Sequence, residues 1–485
     1  GATLVLMPGN PQSPEILFLP KRDPAAETWT GHMYSPEEAR KISGVTEIWD
    51  ATEFEPFMRA VRTRQPFRPQ DGALMMSLNS LALATTANSQ TPQGSSVGNA
   101  AAPATAPSGY EALFAAAAVG DAELYLLMPR EAESREFKQE QNFAAQWART
   151  SSGYGVRDAW PIFTEMRLRK SPMELQLLQH AIDITGEALG RSMAVAGRVE
   201  WEYEVEAEVE YTFRRRNAFF WGYPSIVGCG PNATTLHYNI SQGRLKPGDL
   251  LLMDVGAEYG HYTADVTRTF PVSGKFTPEQ AEIYNIVFAA QEAAARATRP
   301  GATLNDVHNA AAEVIKDGLF KLGLITDKSS NQYRIWFMHG NSHFLGMNVH
   351  DVGTRSTKLD VGMTFTNEPG IYIREDALDY LPKTPENEKL IAAVRPAFEK
   401  YKNIGVRIED DMLVTADGVK WMTAAIPRTI PDIEAFIARA SREMKMSSLQ
   451  FERNPFLVLA QFNYRKPLAT RISRDSRAHH AGHAH

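Results

Sequence analysis

The chain has 485 residues, 43% hydrophobic and 22% charged, with 33 Gly and 29 Pro. Those proportions suit two or three globular domains with sizeable cores and exclude wholesale disorder, collagen and disulfide scaffolds. Lys+Arg 51 against Asp+Glu 57 leaves a net charge of −6, without the basic footprint of a nucleic-acid binder; the single Cys229 cannot form an internal disulfide, and no apolar run reaches the roughly 18 residues of a membrane span.

The chain opens Gly1-Ala2-Thr3-Leu4-Val5-Leu6-Met7, which already reads as a strand, with neither an initiator Met nor a basic leader. Upstream residues, including the first part of an N-terminal domain, are therefore expected. A cytoplasmic location is the expectation, with a periplasmic or secreted one as the alternative if a leader was removed. Short strands at Leu4–Met7, Ile16–Leu19 and Leu124–Leu127, mixed with helical stretches, predict an α/β domain over 1–165. Residues 85–109 within it are almost all Ala, Ser, Thr, Gly, Pro, Asn and Gln, too polar to form a core, and read as a surface insertion.

A second domain is predicted over 166–445. Ser171-Pro172-Met173-Glu174 starts a helix with an N-cap Ser, a Pro at the first helical position and a Glu three residues after the cap. Thr277-Pro278-Glu279-Gln280 repeats the signal. Strands are predicted at Leu250–Met253, Val266–Phe270, Met363–Thr366 and Val406–Ile408, giving an α+β unit with a largely antiparallel sheet. Residues 446–485, ending in His479, His480, His483 and His485, read as a tag-like or disordered tail.

The serine-nucleophile elbow, the P-loop, the dinucleotide glycine motif and the zincin motif are all absent. Cys229, without a basic neighbour in sequence, reads as an inert thiol. Four tracts carry chemistry instead. In the first, a hairpin turning at Tyr259-Gly260 would set Asp254 directly opposite Asp265, on one face of the sheet. Two carboxylates that close after so apolar a strand call for a cation or a shared proton. The second, His339 to Gly353, holds His339, His343, His350 and Asp351 among glycines and apolar residues. The third sets Glu368 at the end of an apolar strand. In the fourth, Gly405 to Asp411, alternation places Arg407 and Glu409 on one face and Ile408 on the other. Two Asp, two Glu and one imidazole make a hard, oxygen-rich donor set. It suits Mn, Co or Zn at a two-metal site.

These tracts, DVGAEYGHYTADVTRTFP at 254–271, His339–Gly353, NEPGIY at 367–372 and GVRIEDD at 405–411, resemble in order and character those of the pita-bread metallopeptidases of family M24, in the Xaa-Pro aminopeptidase (aminopeptidase P) branch. Arg22-Asp23-Pro24 followed by Glu27-Thr28-Trp29-Thr30-Gly31 is similar to the same branch. The resemblance implies a pita-bread catalytic domain behind a smaller α/β domain. It implies Asp254, Asp265, His343, Glu368 and Glu409 as ligands of two metals, with Asp265 and Glu409 bridging; Mn is the expected metal, Zn or Co the alternatives. His237, His339, His350 and Arg407 would line the substrate site. Trp29 would reach a neighbouring subunit's site in a homodimer or homotetramer, the alternative being a Trp buried in its own domain. The implied reaction releases the residue before a proline in second position, by attack of a metal-bridging hydroxide. Glu368 would shuttle the proton and His350 or His237 would stabilise the oxyanion. An Xaa-Pro dipeptidase, a related hydrolase of a small metabolite and a metal-free binding module on the same fold are the alternatives. Glu368 and Glu409 are farther apart than in compact members, and Arg374–Lys402 is expected to form an enlarged loop near the site mouth.

Overall fold

The capping boxes expected at Ser171 and Thr277 both form in the computed structural model, which describes residues 2–69, 108–128 and 135–453. Nearly all of the polar insertion, and the tail beyond Arg453 with its histidines, lie outside the described residues. The chain divides into two units, Gly1–Phe163 and Thr164–His485.

In the first unit, β1 (Thr3–Leu6) pairs antiparallel with β2 (Glu15–Leu19), and β2 pairs parallel with β3 (Glu47–Asp50). Their apolar face carries Phe18 and Trp49, whose rings meet edge-on at 5.6 Å. Helix α1 (Pro24–Thr30) starts at the N-cap Asp23 and stops at Gly31, in the left-handed region at φ +86°. Trp29 on α1 is 88% exposed, so the alternative of a Trp buried in its own domain does not hold. Helix α2 (Pro36–Ser43) carries a third capping box, and α3 (Phe54–Arg62) adds Phe57 to the Trp49 cluster. Further along come α4 (Glu111–Val119), β4 (Ala122–Leu126), α5 (Arg135–Thr150) and β5 (Tyr154–Asp158), with β4 and β5 parallel. Helix α6 (Trp160–Leu168) runs across the division between the units.

The second unit is built on antiparallel pairs flanked by long helices. Helix α7 (Pro172–Val195) buries Leu178, Ile182 and Leu189 on one face and is followed by α8 (Glu202–Arg215). The two-residue β6 (Phe220–Trp221) and β7 (Ile226–Cys229) come next. Strand β8 (Leu250–Val255) is buried along its whole length between β7 and β11 (Val266–Pro271). The connecting arm is β9 (Ala257–Tyr259) paired with β10 (Tyr262–Thr263). After α9 (Pro278–Ala297) and α10 (Leu304–Leu322), β12 (Thr364–Asn367) leads into β13 (Gly370–Tyr372).

The region expected to be an enlarged loop is mostly α11 (Pro385–Tyr401). Its N-cap is Thr384, and Leu390, Val394 and Phe398 form a buried stripe at helical spacing. Strands β14 (Gly405–Arg407) and β15 (Asp410–Thr415) pair with β13 and β12, and β16 (Gly418–Trp421) pairs with β15. Helix α12 (Ile430–Arg453) continues past residue 445, into the stretch expected to be a tail. No described helix is long and apolar enough to cross a membrane.

Candidate metal centre

The hairpin carrying the two aspartates is in a different register from the expected one. Thr267, not Asp265, lies opposite Asp254, and Tyr259 faces Tyr262. The turn is Gly260-His261, with φ +58° and +68°. Positive φ at both central residues is the type I′ geometry that matches strand twist. The slip is two residues, so it preserves the side of the sheet: Asp265 stays on Asp254's face, on the diagonal. One hydroxyl joins the two carboxylates. Tyr223 Oη lies 2.5 Å from Asp254 Oδ1 and 2.6 Å from Asp265 Oδ1. A hydroxyl has a single proton, so it serves one of them at a time.

Strand β12 brings in the histidine tract. The Thr366 amide donates to His343 O at 2.9 Å, and the Glu368 amide to Asn341 O at 2.9 Å. His343 Nδ1 lies 3.1 Å from Phe344 O. A proton on Nδ1 satisfies that carbonyl and leaves Nε2 facing the carboxylates, where it donates to Asp265 when protonated and would ligate a metal once that proton is lost. His343 Nε2 is 3.2 Å from Asp265 and 3.5 Å from Glu368. Asp265, His343 and Glu409 each offer a donor atom, all within 4.8 Å of one another. Glu409 sits between β14 and β15 and accepts from Thr267 Oγ1 at 2.6 Å.

Burial, and then the charges of Asp254 and the other acids, push the Asp265 and Glu409 carboxyls upward. Glu368 is raised to about 7 by burial, with His343 opposing and Asp265 adding to the shift. Burial lowers His343, but the Asp265 hydrogen bond and the Glu368 charge outweigh it, to about 9. Divalent cations would relieve this accumulation of negative charge, so the donor set fits them.

Arg407 closes the other side. It pairs with Asp254 Oδ2, donates from Nε to Thr267 Oγ1 at 3.0 Å, and donates from Nη1 to Tyr372 Oη at 2.9 Å. The Tyr372 hydroxyl is also 2.9 Å from His339 Nε2, while His339 Nδ1 is 2.7 Å from Gly340 O. Both ring nitrogens of His339 are therefore engaged by the protein. Burial, with Arg407 nearby, lowers that imidazole to about 3. His350 stands at the exposed side, its ring 4.3 Å from that of His343. Burial, then the charge of His343 and to a lesser degree that of His237, lower its pKa. His237 is exposed and Trp29 lies in the other unit. Cys229 is buried, its thiol pushed up to about 12 chiefly by that burial, which makes it a poor nucleophile.

Residues 176–416 match the model of metallopeptidase family M24, and residues 1–67 match that of the aminopeptidase P N-terminal domain. The chain belongs to metallopeptidase family M24. It is 39% identical over 292 residues to an Xaa-Pro aminopeptidase of Escherichia coli, covering 58% of this chain and 62% of that protein. It is 41% identical over 288 residues to one of Haemophilus influenzae, covering 58% of this chain and 63% of that protein. The alignments thus span less than two thirds of these curated relatives. Among solved structures, Pseudomonas aeruginosa aminopeptidase PepP matches with TM-score 0.69 and 29% identity, over 91% of this chain and 86% of that one. Aminopeptidase P from E. coli with the inhibitor Pro-Leu matches with TM-score 0.65 and 31% identity, over 88% and 83%. The pita-bread fold expected from the sequence is therefore the fold of this M24 chain.

Three residues of this M24 site carry no expectation from the sequence. Thr267 could have been found, because it follows Asp265 by two on the same strand face. Tyr372 ends the NEPGIY tract. Tyr223 lies 31 residues before Asp254, in no motif.

Proposed function

We propose that this chain is a dinuclear-metal Xaa-Pro aminopeptidase, with Asp254, Asp265, His343, Glu368 and Glu409 as the metal ligands. The observation that carries the reading is the donor cluster of buried Asp265 and Glu409 with half-buried His343, with Glu368 3.5 Å from His343 and Asp254 sharing Tyr223 with Asp265. The names of the relatives, and the E. coli aminopeptidase P solved with the inhibitor Pro-Leu, support the substrate class. The oxygen-rich set favours Mn, with Zn or Co as alternatives.

The bond before proline is a tertiary amide without an N–H, so the site must work through the carbonyl and the leaving nitrogen. Two divalent cations held by Asp254, Asp265, His343, Glu368 and Glu409 would supply Lewis acidity, making water a better nucleophile and polarising the scissile carbonyl. Glu368 accepts a proton from the attacking water and returns it to the proline nitrogen. His350 and His237, on the exposed side of the cluster, hydrogen-bond the developing oxyanion. Arg407 and Tyr372 hold Asp254 and His339 in place. Trp29 fits a second role, completing the site of a neighbouring copy in a homodimer or homotetramer.

Hydrolysis of an Xaa-Pro-Yaa peptide, its Xaa-Ala-Yaa counterpart and the Xaa-Pro dipeptide by the Mn-loaded and the chelated protein tests the proposal. Metal-dependent release of Xaa from the first alone is expected. Equal rates for Pro and Ala would make it a general aminopeptidase, and exclusive cleavage of the dipeptide would make it a dipeptidase.

A further inference from the structure

Lys170 is an unusual lysine. It immediately precedes the N-cap of α7, yet its side chain is only 1% exposed. Its Nζ lies 3.2 Å from Oδ2 of Asp351, whose side chain is 0% exposed, across 181 residues of sequence. Arg167 holds the other oxygen of Asp351 and also donates to Asn348 Oδ1 at 2.6 Å. Both oxygens of one buried carboxylate are thus occupied by cations from the segment that leads into α7.

The tract 346–352 between Gly346 and Val352 contains neither helix nor strand. A few anchors determine its course. The Thr263 amide donates to Gly346 O at 3.0 Å, and the Asp351 amide to Phe344 O at 2.9 Å. Gly346 lies directly against the ion pair: a Cβ there would be 2.2 Å from Asp351 Oδ2 and 2.8 Å from Lys170 Cε. Met347, Asn348 and His350 face outward.

Burying this pair is costly. Burial pulls the Lys170 ammonium below its ordinary pKa, with Asp351 opposing. Well-packed apolar residues would be at least as stabilising as such a pair. What the pair adds is a fixed location for Asp351, the residue next to His350, whose ring stands 4.3 Å from the His343 ring. We propose that Lys170 is a positioning residue for catalysis: through Asp351 it fixes the place of the His350 imidazole over the metal-ligand cluster. The inference rests on the reading of His350 as a substrate-handling residue.

The test is a double-mutant cycle on the metal-loaded full chain, with Lys170→Met, His350→Ala and both together. The readouts are kcat and KM for an Xaa-Pro-Yaa peptide, bound metal and melting temperature. Lys170→Met is expected to lower kcat by about tenfold or more, as for a catalytic group misplaced by a fraction of an ångström. Metal content and KM should stay near wild type. In the His350→Ala background the same change should have no further effect on kcat. If Lys170→Met does not fold, Lys170→Met with Asp351→Asn removes both charges and enters the same cycle. Two losses that multiply, or a wild-type kcat in the lysine variant beside an impaired His350→Ala, would overturn this proposal alone. A wild-type kcat in His350→Ala would overturn the reading of His350, and the proposal with it.

Discussion

Thr267 Oγ1 donates to Glu409 Oε2 at 2.6 Å across 142 residues of sequence, and the same oxygen accepts from Arg407 Nε. One small hydroxyl therefore orients a carboxylate and an arginine at once. Thr267→Val keeps the shape and removes both bonds. Losing a group that orients a ligand costs about 10–100-fold in metal affinity. Competition with a chelating dye should show that loss, and Thr267→Ser should recover most of it.

Asp265 and Glu409 belong to the donor group whose atoms all lie within 4.8 Å of one another. Removing a ligand itself should cost more than removing its support. Asp265→Ala and Glu409→Ala are each expected to lose more than about a hundredfold in turnover. Elemental analysis should find less than the full metal complement. Wild-type turnover in either variant would overturn the ligand assignment.

His308 gives a pH dependence away from the ligands. It accepts from the Asn341 amide at 3.2 Å, and burial, with Arg355 and Arg334 nearby, lowers it to about 4 from 6.5. Between those values the unfolded chain binds the extra proton and the folded chain does not. His308 therefore makes stability fall as pH drops from about 6.5 to 4. Urea midpoints of His308→Gln should fall less steeply over that window than those of the wild type.

Trp29 is 88% exposed on α1, as a contact residue for a second copy would be. Trp29→Ala should fold normally and keep its metals. If subunits complete one another's sites, KM for the peptide should rise by roughly fivefold or more, the loss expected of an aromatic anchor. Sedimentation should show at least a dimer in the wild type. A fully active wild-type monomer would remove Trp29 from the site.

The proposed ligands could be picked out because each sits in a short tract with its own local logic: an apolar strand ending in Asp254, a glycine-spaced run around His343, a turn after Glu368. Helix starts were equally plain, since Ser171 and Thr277 satisfy their own orphan amides. The hairpin register was not legible, because His261 takes a left-handed φ that sequence preference assigns to Asn or Gly. Helix α11 was hidden by its charges, although Thr384-Pro385 and the Leu390, Val394, Phe398 stripe were available signals. Tyr223 was out of reach for another reason: its bond to Asp254 exists only once distant segments have met.

The Gly260-His261 turn sets a rule of parity for anyone who alters this arm. Side chains alternate, so residues can be added to or removed from the tip in matched numbers on β9 and β10 while Asp254 and Asp265 stay on one face. An unmatched single insertion must be absorbed as a bulge, or it rotates one aspartate to the opposite side of the sheet. A peptide tag grafted at this tip should therefore be tolerated when its ends extend the two strands equally. The same tag with one residue more on one side should lower the metal bound by the protein while leaving most of its core intact.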